Sequence, residues 1–382
     1  MILQVLPALG SGGAEQGAID VAAATAAAGG VALVASAGGA RVREIERAGG
    51  RHITLPLASK SPATLWANAG RLARLIEAEG VDLVHVRSRA PAWSARLACR
   101  RTATPFMTTF HGTYNESNRI KRAYNAIMAK GDRVIAISHF IAHHVQTRYG
   151  VGEDRLRIIP RGINLAIFDP DRVPAERLIQ IVEGWRLADG EPVIVMPGRL
   201  TRWKGHEVVI RAVADLGRSD LRCVFVGDGP ERYRDEMVAL ARSLGIESVV
   251  QFVGPCRDMA AAYKAADVVV SASTDPEGFG RVVAEGMAMG RPVVASAHGG
   301  AVEQLDGGAL GWLTPPGDAA ALARGLAEAL ALDGDSRADL ARRAMDHVRT
   351  HYDQRLMCRR TLAVYSELLA GGTRPEAASV PA

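Results

Sequence analysis

The chain has 382 residues, 48% hydrophobic and 23% charged. This length favours two domains over a single core, and no apolar run reaches the roughly 18 residues that a membrane-spanning helix needs. The net charge of +5 is uneven, because residues 1–168 hold 21 Lys and Arg against 11 Asp and Glu, a net +10, and the remainder holds 25 against 30. The basic half indicates an acidic partner, such as anionic lipid, phosphorylated glycan or nucleic acid, unless its charges only solvate helix faces.

The cysteines and the first residues bear on the compartment. The four cysteines are scattered and form no C-x-x-C pair, which disfavours a structural metal site or a disulfide framework and suits a reducing cytoplasm. The first residues, MILQVLPALGSGG, lack a basic region and predict a strand and a glycine turn rather than a signal peptide. We therefore expect a cytoplasmic protein.

Short apolar runs alternate with helical stretches along the chain. The runs that predict strands in the first half are ILQVLP, GVALVAS, HITLPL, VDLVHV, PFMTTFH, RVIAIS and LRIIP. Those in the second half are PVIVMPG, LRCVFVG, VVQFVG, DVVVSAS, RPVVASA and LGWLTP. Nearly continuous apolar strands that alternate with helices indicate parallel sheets covered on both faces. The predicted fold class is therefore α/β, with two Rossmann-like domains facing a cleft.

The segment PRGINLAIFDPDRVP, rich in Pro and Asp, interrupts the alternation and predicts a linker. We place the first domain at residues 1–167 and the second at residues 168–353. A helical stretch follows at residues 354–370, and residues 371–382 have the composition of a disordered tail.

A glycine turn follows the first predicted strand, in LGSGGAEQG. Gly12 and Gly13 allow a ligand to approach the backbone, and the helix N-terminus favours an anion. A dinucleotide fingerprint fails here, because Glu15 stands where its third glycine belongs and the second strand ends without an acid for a ribose. This disfavours a nicotinamide-dependent oxidoreductase. A turn that serves only strand–helix packing stays open.

Other polar residues also follow predicted strands, where ligands of parallel sheets bind. His111 follows PFMTTF, although a lone histidine is more often structural. In PGRLTRWKGHE, Arg199 and Lys204 follow a strand of the second domain and suit phosphate oxygens, although no Walker motif occurs. Gly229, in FVGDGPER, belongs either to a structural turn or to a ligand loop.

The stretch STDPEGFGRVVAEGMAMGRPVVAS holds two carboxylates eight residues apart. Glu277 lies on a turn where the backbone N–H groups of Gly278, Phe279 and Gly280 meet a helix start, which suits both a sugar and a diphosphate. Glu285 lies about two helical turns further on. We interpret the two acids as binding groups for opposite ends of one nucleotide sugar, because nothing requires them to meet.

These motifs, in this order, resemble the retaining glycosyltransferases of the GT-B fold, glycosyltransferase family 4. The resemblance covers residues 2–370 and rests on the E-x7-E stretch together with GGAE, HG, PRGIN, GRLTRWKG, GDGPE and HGGAVE. It implies a hexosyltransferase-type enzyme that moves a sugar from a nucleotide diphosphate sugar with retention of configuration. It also implies no metal, no cofactor, and a last helix that crosses back to the first domain.

The resemblance assigns roles residue by residue. Arg199 and Lys204 match residues that neutralise the donor diphosphate, Glu277 matches the residue that holds sugar hydroxyls, and Glu285 matches the one on the ribose. His111 matches a residue beside the transferred sugar.

Further donor contacts are expected from the glycine loop, which matches a loop near the donor phosphates and the acceptor, and from the turns of the second domain. Base recognition is expected around residues 253–257. The additional donor-binding candidates are Gly12, Gly13, Gly229, Gly278, Phe279, Gly280 and Arg281.

Two positions depart from the common family pattern. Arg281 stands where Leu is common, and Arg161 stands where Asn is common. Both resemble the branch that builds lipopolysaccharide and related surface glycans, which implies a glycan or lipid-linked glycan acceptor. Arg87, Arg89 and Tyr114 are the candidate acceptor-binding residues.

Membrane docking is a further expectation for this branch. The stretch NRIKRAYNAIMAKG interleaves basic and apolar residues, so it either docks on an anionic membrane or packs its apolar side into the core. Peripheral docking on the inner face of the inner membrane therefore stays open.

The same residues also bear on other functions. A non-catalytic nucleotide-sugar binder and a phosphorylase on the same fold both stay open. Nucleic-acid binding is disfavoured, because aromatic residues form only 5% of the chain and no recognition motif occurs. The sequence Asp169-Pro170-Asp171 has the D-x-D form of metal-binding sites, but it lies in the predicted linker, so we expect no metal there.

Overall fold

The computed structural model describes residues 1–10 and 12–371. The described residues form two compact units: unit 1 consists of Met1–Gly162 and the C-terminal segment Gln354–Gly371, and unit 2 is Ile163–Asp353. Each unit holds one parallel sheet with helices between its strands. The predicted α/β class with two Rossmann-like domains is confirmed.

Unit 1 contains a seven-stranded sheet in the order β3-β2-β1-β4-β5-β6-β7. Its strands are β1 (Ile2–Val5), β2 (Ala32–Ser36), β3 (Arg51–Thr54), β4 (Leu83–Val86), β5 (Phe106–Phe110), β6 (Arg133–Ala136) and β7 (Leu156–Ile158). Its helices are α1 (Gly13–Ala27), α2 (Val42–Arg47), α3 (Pro62–Glu79), α4 (Arg89–Thr102), α5 (Arg119–Asn125), α6 (His139–Tyr149) and α15 (Gln354–Gly371).

The C-terminal helix α15 belongs to unit 1. It packs against α1 and β4, and its Tyr365 hydroxyl lies 2.7 Å from Nδ1 of His85, a buried residue of β4. Glu367 forms ion pairs with Arg133 and Arg157, at the starts of the last two strands. Apolar packing and polar contacts therefore both hold α15 on this sheet. The tail predicted at residues 371–382 falls outside the described residues from residue 372 onward.

Unit 2 contains a six-stranded sheet in the order β10-β9-β8-β11-β12-β13. Its strands are β8 (Val193–Pro197), β9 (Arg222–Val226), β10 (Val250–Gly254), β11 (Val268–Ser271), β12 (Val293–Ser296) and β13 (Trp312–Thr314). Its helices are α7 (Ala175–Gly184), α8 (His206–Asp215), α9 (Glu231–Ser243), α10 (Met259–Ala265), α11 (Arg281–Ala288), α12 (Gly300–Gln304), α13 (Ala319–Leu330) and α14 (Gly334–His351).

The strand order of unit 2 reverses between β8 and β11, which are paired neighbours although two strands separate them in sequence. Connections from these two strands leave the same end of the sheet in opposite directions. This switch point opens a crevice for ligands. The core strands β8 and β9 are buried on both faces, because helices cover both sides. The crevice therefore stands on a rigid base.

The predicted linker is partly ordered within unit 2. Phe168 and Val173 are buried, and Lys264 Nζ donates to the carbonyls of Pro170 and Val173 at 2.8 Å each. The carboxylate of Asp169 accepts from the backbone N–H of Asp171 at 3.0 Å and thereby caps a short 3-10 turn. The D-x-D sequence thus has a local structural role.

Candidate functional site

The loops that follow β8 and β11 bring Lys204 and Glu277 together. Lys204 Nζ donates to Glu277 Oε1 at 2.7 Å, and both side chains are largely buried, with 13% and 19% of their surface exposed. Gly205 makes this approach possible, because its φ is +81° and a Cβ there would overlap the carbonyl oxygen of Ala272. A charged pair therefore lies at the crevice between the two strands.

The turn that carries Glu277 is fixed by neighbouring loops. The Ser273 hydroxyl donates to Glu277 Oε1, and the backbone N–H of Gly300 donates to the Glu277 carbonyl at 3.0 Å. Gly299 has a φ of +61°, and a Cβ there would collide with the backbone of Glu277. These contacts hold the carboxylate in one position before any ligand binds.

Glu285, on α11, has both carboxylate oxygens occupied. Arg281 Nη2 lies 2.6 Å from Oε1, and the hydroxyl of Tyr263 donates to Oε2 at 2.9 Å. Burial raises the pKa of Glu285, and the nearby Arg281 and the Tyr263 hydroxyl only partly oppose this effect. The protein therefore keeps an acid in a place that disfavours its charge, which is characteristic of binding sites.

An open cleft of about 340 Å³ adjoins Glu285 in unit 2. The loops after β8, β9 and β10 form one side of it, and Arg281 and Tyr263 lie beside Glu285 on its wall. Polar groups in a largely apolar cleft are typical of small-molecule sites. Further lining residues are Phe168, Gly198, Gly227, Pro255 and Cys256.

The other predicted donor residues of unit 2 have varied surroundings. Arg199 is exposed, next to Gly198 of the cleft. Gly229 packs so tightly against Leu200 that a Cβ would overlap its carbonyl. The Phe279 ring is buried against Tyr352, with centroids 5.5 Å apart.

The loop around Phe279 is also held by polar contacts. The carbonyl of Phe279 accepts from Gln304 Nε2 at 2.6 Å. Gly280 adopts a φ of +83° and caps α11. Phe279 can therefore contact a ligand only through its backbone, and Gly278 belongs to the same turn.

In unit 1, a small cavity of about 20 Å³ lies beneath the start of α1. Gly13, Arg87, His111 and Arg161 line it. Arg87 is only 6% exposed, and its Nε donates to Gln4 Oε1 at 2.8 Å. Arg161 Nη2 lies 2.8 Å from His111 Nδ1. His111 and Arg87 thus share one buried polar site, whereas Gly12 lies just outside the helix as its N-cap.

The two remaining acceptor candidates contact each other. The Arg89 guanidinium lies 4.2 Å from the centroid of the Tyr114 ring, and Arg89 Nη1 donates to Asn125 Oδ1 at 2.9 Å. Burial raises the pKa of Tyr114 to about 12, so its hydroxyl stays protonated at neutral pH. This pair is separate from Arg87, which faces the interior.

Two family models match the chain. The one described as Glycosyltransferase Family 4 matches residues 11–167, and the one described as Glycosyl transferases group 1 matches residues 180–347. A D-inositol 3-phosphate glycosyltransferase of Acidothermus cellulolyticus is 30% identical over 316 residues, which cover 76% of this chain and 68% of that relative. This chain belongs to glycosyltransferase family 4.

Further relatives agree with this membership. The putative colanic acid biosynthesis glycosyltransferase WcaL of Escherichia coli K12 is 30% identical over 68% of this chain and 64% of its own. The matches span between 49% and 68% of the length of the first curated relatives.

Solved structures of the GT-B fold resemble this glycosyltransferase over nearly its whole length. A glycosyltransferase from Rickettsia africae ESF-5 has a TM-score of 0.90 and 37% identity, covering 97% of this chain and 99% of its own. Anabaena HepE in complex with UDP-glucose has a TM-score of 0.82 and 25% identity, covering 96% and 99%.

Sequence reasoning missed several partners of the site in this glycosyltransferase. Tyr263 stands in the run AAAYKAAD, which is indistinguishable from ordinary core sequence. The contact between Arg161 and His111 joins residues that are 50 positions apart, whereas Ser273 lies only four residues before Glu277, its partner. The available signal for Ser273 was its position two residues after the end of β11, within the same segment as Glu277.

Proposed function

We propose that this glycosyltransferase moves a hexose from a nucleotide diphosphate sugar to a glycan or lipid-linked glycan acceptor, with retention of configuration and without a metal. The observation that carries the proposal is the pair of Lys204 and Glu277 at the switch point of unit 2, beside the cleft that holds Glu285. A cation suits the diphosphate, and a carboxylate suits sugar hydroxyls.

The proposed reaction breaks the bond between the anomeric carbon and the diphosphate oxygen. Lys204 and the exposed Arg199 neutralise the charge that develops on the departing nucleotide diphosphate. The acceptor oxygen bonds to the anomeric carbon on the same face, and its proton passes to the departing phosphate oxygen. Glu277, whose Oε1 accepts from Lys204 and Ser273, is assigned the role of holding the sugar and not that of a nucleophile.

We propose a uridine diphosphate sugar as the first donor to test, because the similar HepE structure contains UDP-glucose. In this assignment Glu285 accepts from the ribose hydroxyls, and the base lies against the turn around Cys256, within the predicted base-recognition segment. Arg281 is the remaining cation on the cleft wall. The ribose then either shares the Glu285 carboxylate with Arg281 or displaces Arg281 from it.

We further propose that the enzyme has the synthesis of a surface polysaccharide as its purpose. Its unit 1 would dock on an anionic membrane from the cytoplasmic side, at the inner face of the inner membrane. The similarity to WcaL, named for colanic acid biosynthesis, supports that purpose. Across the described residues, no helix has the length and apolar content needed to cross a bilayer. Docking would therefore use a surface.

The docking surface that we propose consists of Trp66, Trp93 and Ile120, which are 65%, 36% and 81% exposed. Trp93 stacks on Tyr124, with ring centroids 6.2 Å apart. Tyr124 lies one helical turn after Ile120. The hydroxyl of Ser94, the residue after Trp93, donates to the carbonyl of Leu65, the residue before Trp66. Arg101 lies 5.2 Å from the Trp66 ring. Aromatic and basic side chains together suit an anionic interface.

The experiment that tests the function follows donor turnover by proton NMR, with EDTA present, for a panel of nucleotide sugars. The slow transfer to water needs no acceptor, and the first sugar anomer released reports the stereochemistry. We expect one donor to release its diphosphate and a sugar of the donor's own configuration. The opposite anomer would overturn retention, and activity that disappears with EDTA would overturn metal independence.

The alternative functions give different outcomes in the same assay. A non-catalytic binder would bind a donor without releasing nucleotide diphosphate from it. A phosphorylase would cleave a glycan only when orthophosphate is added, and it would form a sugar phosphate. Either result would contradict the proposal.

A further inference from the structure

His111 and Arg161 form a contact whose chemistry fixes the state of the histidine. Arg161 follows β7, and its Nη2 lies 2.8 Å from His111 Nδ1, at the end of β5. A guanidinium carries only donors, so Nδ1 of the histidine must accept this hydrogen bond. A neutral imidazole that accepts at Nδ1 carries its proton at Nε2.

The groups around His111 oppose a second proton on the ring. Burial lowers the pKa of His111 well below its ordinary value, and the charges of Arg161 and Arg87 and the neighbouring His85 add to the effect. His85 itself is buried between Tyr365 and Thr109. No carboxylate is among the groups that shift the pKa of His111 in the described structure. The imidazolium form is therefore disfavoured.

We propose that Arg161 is a positioning residue that holds His111 neutral, with its only proton on Nε2. The inference rests on the proposed function for its meaning in catalysis, but the protonation pattern itself is independent of any substrate. It gives a reason for Arg at this position, where Asn is common in the family: the amide of Asn is shorter and carries no charge.

The proton on Nε2 points to a specific use. Nε2 of His111 and Nη2 of Arg87 are both buried, and neither has a hydrogen-bond partner among the described residues. Both residues line the cavity of about 20 Å³, which is large enough for one oxygen atom. Two donors without an acceptor suit an oxygen of the substrate. His111 therefore binds by donation and does not take the proton of the acceptor hydroxyl.

Long-range proton–nitrogen NMR of the full chain, labelled with nitrogen-15 histidine, tests the proposal directly. His111→Gln assigns the signal among the ten histidines. We expect the wild-type ring to show protonated Nε2, unprotonated Nδ1, and no titration between pH 5.5 and pH 8, a window around the ordinary histidine pKa of about 6.5. A ring with protonated Nδ1, or a charged ring at pH 7, would overturn the proposal.

Variants of Arg161 isolate the cause. Arg161→Met keeps the length of the side chain without donors or charge, and Arg161→Lys restores both. We expect Arg161→Met to mix the two tautomers and raise the pKa of His111, and Arg161→Lys to keep the wild-type pattern in most of the population. An unchanged ring in Arg161→Met, with a native melting temperature, would show that Arg161 has no positioning role.

Kinetics with the donor found for the wild type provides the catalytic arm. We expect Arg161→Met to lower kcat at least tenfold while the KM for the donor, held mainly by unit 2, changes less than threefold. A uniform rise in KM with unchanged kcat would contradict the positioning role. If no donor is turned over at all, the proposed function fails while the NMR result for His111 still stands or falls alone.

Discussion

Lys204 Nζ lies 2.7 Å from Glu277 Oε1, although 73 residues separate the two in sequence. The pairing follows from the topology, since β8 and β11 are neighbours and their C-terminal loops meet at the switch point. In this structure each charge neutralises the other. A bound nucleotide sugar would offer Lys204 a diphosphate and Glu277 a set of hydroxyls, so the pair is poised for exchange with the substrate.

Replacement of Lys204 should remove the charge that, in the proposed reaction, assists departure of the diphosphate. We expect Lys204→Ala to lower kcat by about 10²- to 10³-fold, the size typical of losing one preorganised electrostatic group. The measurement is nucleotide diphosphate release. Arg202→Ala is the matched control, because Arg202 lies on the same loop but is 73% exposed and pairs with Glu236, and it should keep near wild-type turnover. Equal rates for Lys204→Ala and wild type would remove Lys204 from the site.

Replacement of Glu285 should change how the stability of the folded protein depends on pH. Because the pKa of Glu285 is raised in the folded state, the stability that this carboxyl contributes is fully present below its unfolded pKa and is lost as pH rises through its folded pKa. Glu285→Gln does not titrate and has no such loss. We therefore expect the melting temperature of Glu285→Gln, relative to that of the wild type, to increase from pH 4 to pH 7. A flat or falling difference would show that burial does not oppose the charge.

The same variant should bind nucleotide more weakly, because an amide cannot accept from both ribose hydroxyls as a carboxylate does. We expect the affinity of Glu285→Gln for the nucleotide diphosphate to fall about tenfold or more, which calorimetry measures. Unchanged affinity would place the ribose elsewhere.

Tyr263 offers a subtler change in the same cleft. Tyr263→Phe keeps the buried ring and removes the hydroxyl that donates to Glu285 at 2.9 Å. A hydrogen bond to a charged group contributes about 1.5–3 kcal/mol, so unfolding free energy should fall by that amount. Nucleotide affinity should also fall, because the carboxylate loses its support. Tyr233→Phe, a buried tyrosine outside the lining of the cleft, should leave affinity unchanged.

The membrane surface can be tested with one substitution at two places. Ile120→Glu changes the most exposed residue of the proposed surface, and Ile179→Glu changes an isoleucine that is 51% exposed in unit 2. We expect Ile120→Glu to weaken sedimentation with phosphatidylglycerol vesicles about tenfold, because the membrane-bound protein would no longer bury an Ile side chain in the bilayer. Ile179→Glu should have no effect. Equal losses, or binding that resists high salt, would contradict an electrostatic docking surface.

Local sequence predicted the strands well, for physical reasons. All thirteen predicted strands correspond to strands of the structure. The central strands are continuous apolar runs because parallel strands buried on both faces require them, whereas the edge strands β3 and β10 are only partly buried. Glu277 and Glu285 could be singled out as candidates because their spacing and the glycines around them form one uninterrupted segment. What sequence could not provide was the partner of each group, since Tyr263 and Arg161 reach the site only through tertiary folding.

The basic stretch of unit 1 shows the same limit. Its apolar residues could not be assigned to core or surface from spacing alone. The structure buries Ile127 and Met128 in a 3-10 turn after α5 and leaves Ile120 exposed. The core alternative therefore holds for most of the stretch. Trp66 and Trp93, which contribute more exposed aromatic surface, lie on α3 and α4 and gave no signal in the sequence.

Donor binding that depends on Lys204 is tested most directly by the melting temperature of the full chain. It is measured with a panel of nucleotide diphosphate sugars in EDTA, for wild type and Lys204→Ala in parallel. A ligand that binds only the folded state raises the melting temperature. We expect one donor to raise the melting temperature of the wild type clearly and that of Lys204→Ala much less. No stabilisation of folded wild type by any donor, or an equal shift in Lys204→Ala, would contradict this expectation.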